Sequence, residues 1–286
     1  MIFNDVWPVL VWSAVAVVVW AGAAFVLAHL LHRNNIVDTL WPLGFLLVAA
    51  VACAVAAGRS GDPLRQGLLL GLTAIWALRL GYFVGRRSAG KGDDQRYVDL
   101  LAKHDGHRTL TAVRYIFVPQ AIVLYLVSGT VQVGMAEPGP VSVIGWLGVA
   151  VWLLGLTFEA VGDHQMNRFR RDPAHHGQVI DEGLWRWTRH PNYFGDAAVW
   201  TGLWLITAER WPGVLTVVSP ALMTYLLVAG TGKRLLERSM AKRPGYVEYA
   251  RRTSGFFPVP PRLYRALVSR RRPDGSATDA RGHTAG

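Results

Sequence analysis

Residues 183–200 read GLWRWTRHPNYFGDAAVW. The stretch opens basic and aromatic and then runs into apolar sequence. Pro191 suits the first turn of a helix, where a missing N–H costs nothing. A helix therefore starts near His190, and its free N–H groups and positive dipole end make an anion site. Arg186, Arg189 and His190 add positive charge around it. Asn192, Asp196 and Trp200 recur every four residues and so share one face. A carboxylate carried into a bilayer is costly and marks a functional interior. The stretch thus describes a phosphate-friendly mouth above a narrower pocket. Asp196 on its wall is placed to bind a ribose, amide or nicotinamide group, or to move a proton.

The rest of the chain supplies the bilayer. It has 286 residues, 51% hydrophobic and 17% charged, with 12 Trp. That balance suits a polytopic membrane protein. Seven apolar segments are long enough to be candidate spans: roughly 7–31, 37–57, 64–85, 111–133, 141–161, 194–208 and 211–230. The first lacks a basic leader and reads as a retained helix rather than a cleaved signal. Of 30 Lys and Arg, 25 fall in 86–114, 162–190 and 231–286, while 58–66, 134–140 and 209–212 hold only Arg59, Arg65 and Arg210. With seven spans the positive-inside rule puts the N-terminus outside and the C-terminus in the cytoplasm. The net charge of +11 then follows topology and contact with anionic lipid, with no nucleic-acid module in sight. The sequence predicts one all-α membrane domain over 1–260, followed by a basic, disordered tail at 261–286.

Polar groups gather at one end of these spans. Trp76, Arg79, Phe83 and Arg86 share a face of the third, with Arg79 about two turns inside its cytoplasmic end. Glu159, Asp163, Asn167 and Arg170, spaced 4, 4 and 3 apart, form a stripe at the cytoplasmic end of the fifth. Glu159 directly follows an apolar run and is expected to face a polar cavity. Asp38 and Trp41 open the second span. After the seventh, Arg234, Glu237 and Arg238 fall within one turn, and Tyr246 and Tyr249 precede a Phe-Phe-Pro stretch. That segment reads as an amphipathic cytoplasmic helix capping the bundle or lying on the membrane. The nine His show no zinc-ligand spacing, and no metal site is expected. The lone Cys53 excludes an internal disulfide.

The motif GLWRWTRHPNYFGD, with VDTLWPLGF (37–45), ALRLGYFVGRR (77–87), GDDQRY (92–97), FEAVGDHQMNRFRRDP (158–173) and the downstream Tyr246, Tyr249 and Phe257-Pro258, resembles the steroid 5-alpha-reductase family. The resemblance is closest to a bacterial branch of it and covers nearly the whole chain, with the catalytic core at about 111–260. It implies a seven-helix reductase in a bacterial-type plasma membrane. Such an enzyme holds NADPH in a cytoplasm-facing mouth and reduces the carbon–carbon double bond of an enone lipid. By matching motif, Asp163, Arg170, Asn192, Tyr193 and Asp196 line the dinucleotide site. Arg189 and His190 approach its phosphates, with Arg79, Arg87, Arg234, Glu237 and Tyr246 close by. Asp38 falls near an acidic residue that works on the substrate carbonyl. The family's carbonyl-polarising Tyr is Trp76 here, which speaks against a steroid 3-ketone. The two proton-donor candidates are Asp38, which would have to be protonated, and Tyr82.

The expected function is therefore NADPH-dependent reduction of an activated double bond in a steroid, isoprenoid or acyl substrate, with an acid bonding the carbonyl as enolate charge develops. Two rivals remain. Isoprenylcysteine carboxyl methyltransferases share the fold core and an RHP-x-Y-x-G segment but use S-adenosylmethionine, which has no phosphates for two basic loops to hold. A non-catalytic lipid-binding or transport protein would arrange its polar groups as a path at the midplane rather than at one face.

Overall fold

The computed structural model describes residues 2–104, 107–230 and 232–269. All regular structure among them is helical. The chain runs through α1 (Ile2–Leu30), α2 (Ile36–Ala56), α3 (Pro63–Ser88) and the short α4 (Gln95–Ala102). The next span is built from α5 (Arg108–Ala112), a π-helical turn (Val113–Phe117), α6 (Val118–Val127) and α7 (Gly129–Gly134). Then come α8 (Val143–Arg171), α9 (Pro191–Thr207), α10 (Val218–Val228), α11 (Lys233–Met240), α12 (Tyr246–Arg252) and α13 (Pro261–Ser269).

Six stretches, 4–30, 36–56, 63–88, 108–134, 143–171 and 213–240, are apolar and long enough to cross a membrane. That is the pattern of a multi-pass membrane protein. The sixth of the seven expected spans corresponds to α9, whose 17 residues sit at the short end of the about 17–25 that cross a bilayer core, and it is not among these six stretches. The last stretch is also not one unbroken helix. Gly232 has a non-helical backbone (φ −86°, ψ −109°) between α10 and α11. The chain expected to be tail from 261 is helical over α13, and 270–286 lie outside the described residues.

Two compact units divide the chain: Met1–Leu156 with Asp196–Leu226, and Thr157–Gly195 with Leu227–Gly286. The first is the larger. Its centre is aromatic: Phe45 meets Trp41 at 4.7 Å, Trp200 at 4.7 Å and Trp76 at 5.6 Å, and Trp76 meets Trp200 edge-on at 5.3 Å. Glycines let helices approach around it. A side chain on Gly44 would strike Leu124 and Trp20, and Gly148 faces Gly202 where α8 and α9 cross. Trp20 Nε1 donates to the Leu40 carbonyl at 3.0 Å, tying α1 to α2.

A buried ion cluster closes one end of this unit. Asp62 caps α3 by accepting from Arg65 N, and Pro63 fills the first helical position. The Arg65 guanidinium is wholly buried. Nε donates to the Ile206 carbonyl at 3.2 Å, Nη1 to the carbonyls of Glu137 and Gly139 at 3.2 and 2.9 Å, and Nη2 to Glu209 Oε2 at 2.5 Å. Glu209 Oε1 in turn accepts from Ser142 N, Ser142 Oγ and Gly145 N. Glu137, equally buried, stands 3.9 Å from Arg65 Nε. Its carboxyl lies against Gly213 without a well-formed hydrogen bond. One cation thus faces two acids, and the better-bonded Glu209 takes the negative charge. Burial, opposed by Arg65 and reinforced by Glu209, pushes the Glu137 carboxyl up to about 8 from an ordinary 4.5. The folded state holds this proton more tightly than the unfolded chain does. Stability therefore falls as pH rises through that window and levels off above its upper end. Thermal melts in detergent from about pH 5 to about pH 9 should show this decline in the wild type and lose it in Glu137→Gln. An unchanged slope in that variant would contradict the assignment.

Candidate functional site

In the second unit the polar groups collect where α9 begins. Gly162 of α8 makes room: a side chain there would press on Pro191 and the Asn192 backbone at 3.1–3.3 Å. One residue on, Asp163 Oδ1 accepts from Asn192 Nδ2 at 3.3 Å, and Phe158 packs edge-on against Phe194 at 5.2 Å. The lead-in segment is held to the same helix. Trp185 Nε1 donates to the Gly162 carbonyl at 3.1 Å and Leu184 N donates to Gln165 Oε1 at 3.0 Å. Gly183 has φ +55° with the Gln165 amide where a side chain would sit, so only glycine fits.

His190 immediately precedes α9 and lies flat on Tyr193 at 5.3 Å. Its Nε2 meets Glu237 Oε1 at 3.0 Å. Burial holds the imidazole below its ordinary value against the pull of Glu237. A neutral ring facing an acceptor carboxylate carries its proton on Nε2. Glu237 also accepts from Arg189 Nε at 2.8 Å. Arg189 Nη1 also donates to the carbonyls of Ala250 and Thr253 at 2.8 and 2.9 Å, and its backbone N donates to Ser254 O. Tyr246 sits beside this pair, and burial with Glu237 raises its phenol to about 12. Thr188 Oγ1 accepts from His190 N and donates to the Phe256 carbonyl at 2.8 Å. Glu159 and Asp163 are buried, whereas Arg170 and Arg234 are exposed.

The first unit holds a second polar centre. Tyr97, in the first turn of α4, donates to Asp38 Oδ1 at 2.6 Å, and Arg96 Nη2 stands 3.3 Å from Asp38 Oδ2. Asp94 caps α4 and also binds Arg96, whose guanidinium holds its carboxyl below the usual range. Burial and the Asp38 charge raise the Tyr97 phenol, so it stays protonated. A loop clasp fixes this placement: Asp93 accepts from Asn34 Nδ2, Asn35 N and Asp94 N, and Arg33 donates to the Ser88 carbonyl. Gln120 Nε2 approaches the Tyr97 hydroxyl at 3.4 Å. Asp196 is buried in the same unit, and Arg79 is half-buried.

Residues 24–253 match the family described as "Protein of unknown function (DUF1295)". The chain belongs to the DUF1295 family. A similar protein is the uncharacterized protein C594.04c of Schizosaccharomyces pombe (strain 972 / ATCC 24843). It is 24% identical over 249 residues, covering 78% of this chain and 72% of the yeast protein. No solved structure matches.

Within this DUF1295 chain the expected residues fall into two groups. Asp163, Asn192, His190, Tyr193, Arg189, Glu237 and Tyr246 come together at the α9 start, with direct bonds from Asn192 to Asp163 and from Arg189 and His190 to Glu237. Tyr82 does not join Asp38: it is 67% exposed and its hydroxyl accepts from Arg86 Nη1 at 3.2 Å. Its position on α3 turns the ring outward, and the phenol beside Asp38 is Tyr97. Arg87 is exposed over the Phe83 ring at 5.9 Å. Sequence reading missed Tyr97 although it closes the GDDQRY segment. Nothing in helical spacing links it to Asp38, 59 residues away. Among the described residues no cluster of three His, Cys, Asp or Glu is placed to hold a metal.

Proposed function

We propose that the protein is a membrane-bound reductase that uses NADPH to saturate an activated carbon–carbon double bond in a lipophilic substrate, with the nucleotide mouth on the cytoplasmic side. The observation that carries this reading is the gathering of Asp163, Asn192, His190, Arg189 and Glu237 at one helix start. A helix N-terminus favours phosphate, and the exposed Arg170 and Arg234 add cations within the same unit. Asn192 holds Asp163 by a long 3.3 Å bond, which leaves its amide free to turn toward a ribose or amide. These donors suit a phosphorylated dinucleotide better than S-adenosylmethionine. NADPH, when bound, supplies the hydride.

The chain's own part is orientation, exclusion of water and a proton. Tyr97 keeps its proton at neutral pH, and its single hydroxyl hydrogen is donated to Asp38 Oδ1 in this structure; in the reaction that hydrogen would turn from Asp38 to a substrate carbonyl oxygen as enolate charge grows. Asp38 accepts here from both Tyr97 and Arg96, and acts as the positioning group.

Mass spectrometry of the nucleotide that co-purifies tests the cofactor. NADP(H) is expected, and recovery of S-adenosylmethionine or S-adenosylhomocysteine would move the assignment to a methyltransferase. A panel of isoprenoid, acyl and steroid enones, scored by NADPH oxidation, tests the acid. Tyr97→Phe should lower turnover by about a hundred- to ten-thousand-fold while keeping the nucleotide. Wild-type turnover in that variant would remove Tyr97 from the reaction.

A further inference from the structure

The helix α13 carries a pattern that the proposed reaction does not use. In PRLYRALVS, Leu263 and Leu267 lie four residues apart on one side, and Arg262 and Arg265 turn toward the other. Leu263 is 54% exposed and Leu267 is 49% exposed, and both arginines are exposed too. Phe257, just before the helix, is 69% exposed. A short helix that bares leucines on one side and cations on the other is amphipathic in the sense that suits a membrane surface.

Its setting limits what can cover that face. The segment before α13 is pinned: Thr188 Oγ1 donates to the Phe256 carbonyl and Val259 N donates to the Trp187 carbonyl at 2.9 Å. The start of α13 is thus fixed to the lead-in of α9. The same unit contains the last turns of α8, which belong to a membrane-spanning stretch. The described residues 232–269 carry nine Lys and Arg against two Asp and Glu. Strong positive charge beside exposed leucines, in a unit rooted in the bilayer, is complementary to anionic phospholipid.

We propose that α13 is an interfacial anchor that binds anionic phospholipid, with Leu263 and Leu267 set among the acyl chains and Arg262 and Arg265 at the headgroup phosphates. The anchor fixes the edge of the second unit against the membrane and is independent of the reaction assigned above.

A single label reports on it. In a Cys53→Ser background, Leu267→Cys is labelled with an environment-sensitive fluorophore. The full-length protein is placed in nanodiscs of pure phosphatidylcholine or of phosphatidylcholine with about one third phosphatidylglycerol, each with a nitroxide lipid as shallow quencher. Quenching should be several-fold stronger with phosphatidylglycerol. The added substitutions Arg262→Gln and Arg265→Gln should return it to the neutral-lipid level without changing the melting temperature. Equal quenching in both discs would overturn the anionic-lipid assignment. A label that stays in water in both, or quenching that survives loss of both arginines, would overturn it as well.

Discussion

Replacing Arg65 by Met should destabilise the protein by about 3–5 kcal/mol. Arg65 is wholly buried, and its removal strands the Glu209 carboxylate and the carbonyls of Ile206, Glu137 and Gly139. A buried charge left without its partner is costly even where the intact pair contributes little. The melting temperature in detergent should fall by on the order of 10 °C. The double variant Arg65→Met, Glu209→Met should recover part of the loss, since it removes the stranded charge and leaves apolar groups of similar size. A single variant that melts like wild type would show that the cluster does not hold this end of the first unit together.

The same residue shows where the sequence is legible and where it is not. Arg65 reads as one of three cations in poorly charged loops, a marker of topology. Its burial comes from partners 72, 74, 141 and 144 residues away, which no local pattern connects. The stripes on α8 and α9 are readable because helical spacing alone puts Asp163 on a polar face and Asn192 beside a helix start. Their meeting across 29 residues follows from Gly162, whose bare backbone lets Pro191 approach. Arg189 looks like a phosphate ligand by its place in the motif. Its guanidinium instead braces Glu237 and two carbonyls. Composition misleads at α13, which falls within the basic segment read as a disordered tail. The period of Leu263, Tyr264 and Leu267 carries the helix.

The second large effect is loss of nucleotide binding. Asn192→Ala should abolish the NADP(H)-dependent rise in melting temperature while leaving the ligand-free melt close to wild type. Asn192 is only half-buried, and its one bond to Asp163 is 3.3 Å long. Arg170→Gln, on an exposed side chain, should also reduce the nucleotide shift. Arg189→Gln should behave differently. It breaks a charge-assisted bond to Glu237, which typically costs about 1.5–3 kcal/mol, and should lower the ligand-free melt. If Asn192→Ala and Arg170→Gln both kept the full nucleotide shift, the cluster at the α9 start would be structural.

Whether this DUF1295 protein binds a phosphorylated nicotinamide dinucleotide is tested most directly by the melt of the purified wild-type protein with each candidate ligand. A ligand that binds only the folded state stabilises it by about 2.7 kcal/mol at a hundred times its Kd. NADP⁺ or NADPH is predicted to raise the melting temperature, and S-adenosylhomocysteine at the same concentration to leave it unchanged. A rise with S-adenosylhomocysteine and none with either form of NADP(H) would contradict the proposed dinucleotide site.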